Sequence, residues 1–436
     1  MKGAKNTYVL WLVLCAGLWV PPHCRGQTVA PDSLRVVQIV VAGNEHTRDF
    51  VILREMKTAV ASCLDFQQLE LDRLRIENLG LFTRVEVLPL KTEQGVVVVV
   101  VVSERWYLFP FPILDRHEKD WSKLSYGFGL QHMNLRGRNE QLGTAIWWGY
   151  NPGYQLSFTS PWLLGRGGMF VTLQALRQLV RSFSLQLPRF EQEVQGVVLT
   201  IGQRFGYHTF LSLTAGYRQV RVDMPPPGAT ISARGVDRAP QGGVSASYDT
   251  RNLREYPRRG WWVSAGARQV GLPRRTAPYL LWNVDARRYQ PVGKRTSLAV
   301  RASGSFSYGQ VPVYDRFYLG YEERIRGHFR QVAEGDSRVI VASELRFTLL
   351  PVIYFQLRAA EGLLSNYSRN LKFGVNAGLF CEAGSAWFRG DPTRRVWWRG
   401  FGAGVHFHLP YGYVLRLEYA WDGKLRGEVI VDLNVF

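Results

Sequence analysis

From about residue 122 onward the chain is written in segments of roughly ten residues with a two-residue period and turn residues between them, and no other feature restricts the fold as strongly. In 373–383 the odd residues Phe373, Val375, Ala377, Leu379 and Cys381 are apolar, whereas the even ones are Gly374, Asn376, Gly378, Phe380 and Glu382. In 401–409 the even set is Gly402, Gly404, His406 and His408, and in 413–421 it includes Arg416, Glu418 and Ala420. Earlier segments repeat this, with Leu211, Leu213, Ala215 and Tyr217 against Ser212, Thr214, Gly216 and Arg218. Successive side chains of a strand point to opposite faces, so each segment has one apolar face and one small or charged face. A soluble sandwich also alternates, but its second face seldom carries so many small and charged residues over so many strands. No apolar run of about twenty residues follows the N-terminus, which argues against spanning helices. A closed barrel satisfies every backbone group in lipid. The reading is therefore mainly β: a transmembrane antiparallel β-barrel over 123–436, preceded by one small α/β domain. About sixteen segments can be counted, from 123–132 to 426–436, including one at 180–188 in the least regular stretch, 167–204. An even number puts both barrel ends on the side of the first domain. Fourteen tryptophans, paired at 147–148, 261–262 and 397–398, suit interfacial girdles.

Composition limits the alternatives. The 436 residues carry a net charge of +19, with 46% hydrophobic and 13% aromatic residues, so the chain is not disordered. Such a charge also suits a nucleic-acid binder, yet no helix-turn-helix, zinc-knuckle or RNA-recognition pattern supports one. Phosphate-rich lipid surfaces account for it equally well. Lys2 and Lys5, the apolar stretch Tyr8 to Val20 and the Cys24-Arg-Gly26 site predict a signal peptide over 1–26. Beyond it only Cys63 and Cys381 remain, so no disulfide framework or zinc site is expected.

The stretch 34–105 reads as strand, helix, helix, strand, strand. Leu34 to Val41 alternates and breaks at the turn Gly43-Asn44; Phe50, Val51, Leu53 and Met56 recur at helical spacing. Asp65 and Gln68 form a capping-box signal for a helix that stops at Gly80. The seven valines 96–102 are too few to cross a bilayer and suit a strand covered on both faces. After it, 106–122 with Phe-Pro-Phe-Pro reads as a stiff linker.

Charge gathers in an aperiodic loop, Phe317 to Arg330, where Arg324, Arg326 and Arg330 stand beside Gly320 and Gly327. A later strand, Phe380-Cys-Glu-Ala-Gly384, presents Glu382 inward. A guanidinium forks onto a carboxylate in two parallel bonds, so Arg326 and Glu382 make a natural buried pair. Glu344, Arg346 and Glu418 share the inward parity and are secondary partners.

Ile325-Arg326-Gly327-His328 and Phe380-x-Glu382-x-Gly384 resemble the Val-Arg-Gly-Phe/Tyr loop and the lumenal Phe-x-Asp-x-Gly strand of the BamA/TamA superfamily. Here Glu382 stands for the aspartate and His328 for the aromatic. Further resemblances are Asn134-Leu-Arg-Gly137, Ser160-Pro161-Trp162, Asp249-Thr-Arg251 and Ala342-Ser-Glu344-Leu-Arg346, while Val41-Ala-Gly-Asn44 and Asn78-Leu-Gly-Leu-Phe82 are similar to a polypeptide-transport-associated (POTRA) repeat. The resemblance implies an outer-membrane barrel with a periplasmic POTRA domain at 34–105. It also implies a loop locked in the lumen by Arg326, Gly327, Phe380, Glu382 and Gly384, and a lateral seam between first and last strands.

The glycine-bearing segment with Gly127 and Gly129 is expected at that seam, opposite Val431, Leu433 and Phe436, because glycine weakens a strand. An open seam exposes backbone groups that a client strand can pair. The implied function is non-enzymatic assembly of other barrels, with a dedicated exporter resembling two-partner secretion transporters as the alternative and a passive porin behind it. Partners are then unfolded outer-membrane or secreted polypeptides, outer-membrane lipids and periplasmic accessory proteins, with no nucleic acid, cofactor or metal. His406 and His408 face the lumen without a nucleophile or a carboxylate set at matching depth.

Overall fold

A computed structural model describes residues 35–117, 121–165, 168–272, 278–320, 323–328, 331–356, 368, 370–391, 395, 397–410 and 413–433. The expected signal peptide and Phe436 lie outside the described residues. The N-terminal domain runs β1 (Val36–Ala42), α1 (Asp49–Leu53), α2 (Phe66–Glu77), β2 (Phe82–Thr92) and β3 (Gly95–Glu104). Its sheet has the order β1-β3-β2, with β1 parallel and β2 antiparallel to the central β3. The Asp65 side chain caps α2 by accepting from the amides of Gln67 and Gln68, whereas Gln68 donates to Asp72 rather than closing a capping box. Val96, Val98, Val100 and Val102 are buried with Val51, Ile52, Leu69 and Ile76, while the intervening valines are only half-buried. The strand is thus covered by helices on one face, not both.

The remaining strands are β4 (Leu108–Arg116), β5 (Leu124–Leu135), β6 (Glu140–Gly149), β7 (Gly153–Ser160), β8 (Met169–Arg181), β9 (Glu191–Phe205), β10 (Thr209–Arg221) and β11 (Val236–Asp249). They continue as β12 (Gly260–Val270), β13 (Tyr279–Pro291), β14 (Thr296–Gly309), β15 (Phe317–Leu319), β16 (Ala333–Gly335), β17 (Ser337–Phe355), β18 (Leu371–Trp387), β19 (Trp398–Leu409), β20 (Tyr413–Asp422) and β21 (Gly427–Asp432). Sixteen of them form one antiparallel sheet in chain order from β4 to β21; β15 and β16 pair apart from it as a hairpin inside the β14–β17 loop.

The parity of the sequence holds around this sheet. Leu211, Leu213, Leu379, Phe401, Leu417 and Tyr419 are exposed on the outside, whereas Asn376, His406, Arg416 and Glu418 are buried within. Each tryptophan pair divides accordingly. Trp148, Trp261 and Trp397 face outward, but Trp147 lines a lumenal cavity and Trp398 stacks on His328. Adjacent strand residues cannot share a face, so only one member of each pair can sit in a girdle.

Two strand assignments change. Residues 106–122 are not a linker: β4 pairs with β5 along its whole length and is the first strand of the sheet. Its prolines are tolerated because it is an edge strand, where a missing N–H breaks no ladder bond. Conversely, most of the expected segment 180–188 lies beyond β8 in a loop, where Ser184 and the amide of Leu185 donate to Glu334 of the β14–β17 loop. One strand gained and one lost leave the count at sixteen.

The N-terminal domain sits against the near rim of the barrel and touches it at several turns. Asn134 donates to Thr47 at 2.9 Å and the Arg48 amide to the Gly137 carbonyl at 3.0 Å. Arg204 forks onto Glu55 with two bonds of 2.7 Å, Tyr207 donates to the Met56 carbonyl, and Asn78 bonds Asn252 and Arg254. Burial, only partly offset by Glu55, lowers the Arg54 guanidinium to about 10 at this junction, where it lies over the Trp162 ring. Arg204→Ala is expected to loosen the domain from the rim, because it removes both bonds that tie the buried Glu55 to the barrel and leaves only Arg54, of the same domain, beside that carboxylate. Cross-linking between the domain and the β9–β10 turn would fall several-fold, while the barrel itself stays folded.

Gly43 and Asn44 form the expected turn, with Asn44 donating to the Thr47 carbonyl and to Asp49. Glu104 holds this loop, accepting from the amides of His46 and Thr47. Burial alone would raise the Glu104 pKa, but these bonds outweigh it and keep the carboxyl below its ordinary value. Its contribution to stability is therefore complete above the unfolded value of 4.5 and disappears as pH falls through the lower folded value. The melting temperature is expected to drop over that acidic window, and Glu104→Gln should flatten the drop.

Candidate functional site

The β14–β17 loop enters the barrel and places Arg326 against the wall made by β17 to β20. Arg326, 7% exposed, donates through Nε to Glu382 at 2.7 Å and through its amide to the same carboxylate at 2.9 Å. Its Nη1 reaches Glu344 at 3.1 Å and Glu418 at 3.0 Å, and the guanidinium lies 3.5 Å from the centroid of Phe380. The specific pair and the secondary partners thus occur together, because a planar guanidinium has donors on three sides. Glu344 and Glu418 are also held by Arg416 at 2.5 Å, and Glu344 by Arg346 at 2.7 Å. Three arginines and three glutamates balance in charge. Breaking such a buried arrangement costs about 3–5 kcal/mol.

Steric fit completes the lock. Gly327 has φ +95, a conformation that side chains rarely adopt, and its amide donates to Glu428 at 2.7 Å. His328 takes the place of the expected aromatic: its ring stacks on Trp398 at 5.3 Å, and Nε2 bonds the Arg399 carbonyl at 2.8 Å. Gly384 lies under Ile325, which is fully buried with Leu319, Ile340 and Ala386.

The histidines have partners. His406 bonds Tyr256 at 2.9 Å through Nδ1 and Glu418 at 3.1 Å through Nε2, and His408 bonds Asn376 at 2.8 Å. Glu344, His406 and Glu418 come close enough to suggest a cation site. The donor set does not fit one, since Arg326, Arg346 and Arg416 already neutralise both carboxylates. Sequence parity placed His406 and Glu418 inside. It gave no sign of Tyr256, whose turn folds into the lumen, nor of the Pro257 carbonyl that accepts from Arg346 at 3.2 Å. Glu428 was likewise missed, although it has the inward parity of its strand.

Beyond the loop a cavity of about 2310 Å³ remains, walled by strands from β4 to β12. It is basic, with Arg189, Arg218, Arg268, Arg316, Arg324 and Arg338 against Asp115 and Glu323.

The seam differs from expectation. Gly127 and Gly129 lie on β5, which is paired on both sides, so they are not at the junction. Gly129 serves close packing instead, since a Cβ there would sit 2.1 Å from the Phe111 ring. The junction lies between β4 and β21, and no ladder joins these two strands among the described residues. Val431 stands on the open edge of β21, with Leu433 just beyond it.

The family profile described as the Omp85 superfamily domain matches residues 134–429, and the POTRA profile, described as a surface antigen variable number repeat, matches 34–105. Among solved structures the chain is similar to BamA from Haemophilus ducreyi lacking POTRA domains 1–3, with TM-score 0.53, 16% identity and coverage of 92% of this chain and 83% of that one. CdiB from Escherichia coli gives 0.52, 13%, 96% and 91%, and CdiB from Acinetobacter baumannii 0.52, 11%, 91% and 72%. At these identities the structural likeness is one of fold, whereas the profile match extends over well more than half of the sequence. The chain belongs to the Omp85 superfamily, with one POTRA repeat ahead of a sixteen-stranded barrel.

Proposed function

We propose that this protein is an outer-membrane insertion factor, in which the POTRA domain receives an extended polypeptide on the periplasmic side and the β4–β21 seam offers it backbone edges in the membrane. Barrels of the family lie in the outer membrane, with POTRA domains in the periplasm, and handle polypeptide substrates. The observation that carries the reading is a seam with no ladder among the described residues, beside a loop fastened to the strands that end there. Unpaired edges in lipid are costly, so an added strand is strongly favoured. The partners are unfolded barrel proteins and the surrounding lipids, with periplasmic accessory proteins at the sheet edges of the POTRA domain. The chain acts without catalysis, its lumenal histidines being held in structural bonds.

A dedicated exporter is the second reading, favoured by the basic lumenal cavity and by an equal likeness to CdiB. Disulfide trapping separates the two. With Cys63 and Cys381 replaced by serine, cysteine pairs drawn from Leu108 or Leu114 and Val429 or Val431 would lock the seam. Loss of barrel assembly supports insertion, and loss of export of one secreted protein supports the exporter. Unimpaired assembly and secretion with a fully locked seam would refute the seam as the working site.

A further inference from the structure

The basic lumenal cavity is lined by two kinds of polar side chain. Gln131, Gln155, Gln174, Gln178, Gln192 and Gln241 come from five strands between β5 and β11 and spread amides over its curved wall. The arginines supply the charge, and two of them are already engaged: Asp315 holds Arg218, and Glu334 holds Arg316. Arg268, on β12, makes no hydrogen bond or ion pair among the described residues. Gln192 and Gln241 are only 7% and 9% exposed, and the Oε1 atom of each is buried without a donor among the described residues. A buried carbonyl oxygen left unbonded is costly, so both positions call for a donor from outside the wall.

Strand register keeps this wall clear. Each long polar side chain of β10 to β12 that lines the cavity stands opposite a glycine on a neighbouring strand: Arg218 opposite Gly196, Gln241 opposite Gly216 and Arg268 opposite Gly243. A Cβ at Gly216 would stand 3.0 Å from Gln241 Nε2, and one at Gly243 would lie 3.5 Å from Arg268 Cα. The glycines thus make room for these side chains beside the wall. What remains is a volume of about 2310 Å³, well above the roughly 300–1,000 Å³ of pockets for drug-sized ligands. It has room for several linked units.

We infer that the cavity binds an acidic oligosaccharide against the wall formed by β8 to β12. A hydroxyl both donates and accepts, as an amide does, so rings carrying several hydroxyls find partners among the glutamines and supply the donors that Gln192 and Gln241 lack. Carboxylate or phosphate groups on those rings take forked bonds from Arg268 and the neighbouring arginines. An extended peptide fits less well, because its donors and acceptors lie along two edges and pair with a row of groups on one strand, not with side chains scattered over five. Two sources share the favoured chemistry, a free oligosaccharide and the sugar headgroup of an outer-leaflet glycolipid. The site includes neither Arg326 nor the backbone edges of the seam, so it stands apart from the insertion reading.

The test uses the full chain in phospholipid nanodiscs and isothermal titration calorimetry. The probe is the hexamer of galacturonate, with the neutral hexamer of glucose and hexaglutamate as comparisons. The galacturonate hexamer should bind about tenfold more tightly than either. Arg268→Gln, Gln241→Leu and Gly216→Val, each shown to be folded by heat-modifiable electrophoretic mobility, should each weaken it by about tenfold. Arg288→Gln removes the same charge beside the outward-facing Trp261 and should leave binding unchanged. A second arm adds lipopolysaccharide to the nanodisc: competition supports the lipid-borne source, and undiminished binding supports the free one. No binding of the acidic hexamer, equal binding of the neutral one, full affinity in folded Arg268→Gln, or an equal loss in Arg288→Gln would overturn the inference. Tighter binding of hexaglutamate would overturn it in favour of an acidic polypeptide. None of these results depends on whether locking the seam blocks assembly, so the two proposals fail separately.

Discussion

Replacing Arg326 by alanine is expected to free the lumenal loop and abolish function while leaving the sixteen strands in place. The substitution leaves Arg346 and Arg416 to hold the buried Glu344 and Glu418, and removes the bonds that the half-buried Glu382 receives from the guanidinium. An uncompensated carboxylate in such a site costs about 3–5 kcal/mol, more than a loop held otherwise by Ile325 and His328 can readily absorb. Arg326→Lys should fall between wild type and alanine, since an ammonium keeps the charge but cannot fork onto three carboxylates. Protease accessibility of residues 323–328 in intact membranes reads the loop directly, and barrel assembly or secretion reads function. Wild-type activity with a protected loop would assign the lock to steric packing instead.

Gly400→Val is expected to expel the same loop without touching a charge. A Cβ at this lumenal position of β19 would stand 1.7 Å from the Arg326 carbonyl oxygen, which is backbone and cannot swing aside. The loop must move, and Arg326 then loses its carboxylates as a consequence. Gly390→Val is the control, because nothing lies within 4 Å of a Cβ there. Protease accessibility should rise in Gly400→Val to the level of Arg326→Ala and stay at wild type in Gly390→Val. Similar phenotypes from a steric and an electrostatic change would show that loop position, not the charge itself, is what function requires.

Much of this site could be read from the residues alone. Arg326 and Glu382 were marked by their surroundings, and Glu344, Glu418 and His406 by parity. Three features could not be read. Phe-Pro-Phe-Pro suggested a linker because prolines interrupt ladders, yet at a sheet edge there is no second ladder to interrupt. Gly127 and Gly129 suggested a weak first strand, but their strand is second and at Gly129 the missing side chain makes room for Phe111. His328 departed from the expected aromatic, and only the structure shows Trp398 beneath it with the ring nearly parallel.

By itself the sequence determined the barrel and which face of each strand looks inward. A two-residue period is a local consequence of strand geometry, and lipid on one side enforces it segment by segment. The tertiary structure alone decided which carboxylates meet Arg326 and which strand begins the sheet. Glu382 and Glu418 lie 56 and 92 residues from Arg326 along the chain. Their meeting depends on strand register summed around the cylinder and on how far the loop reaches into it, and no local pattern encodes either.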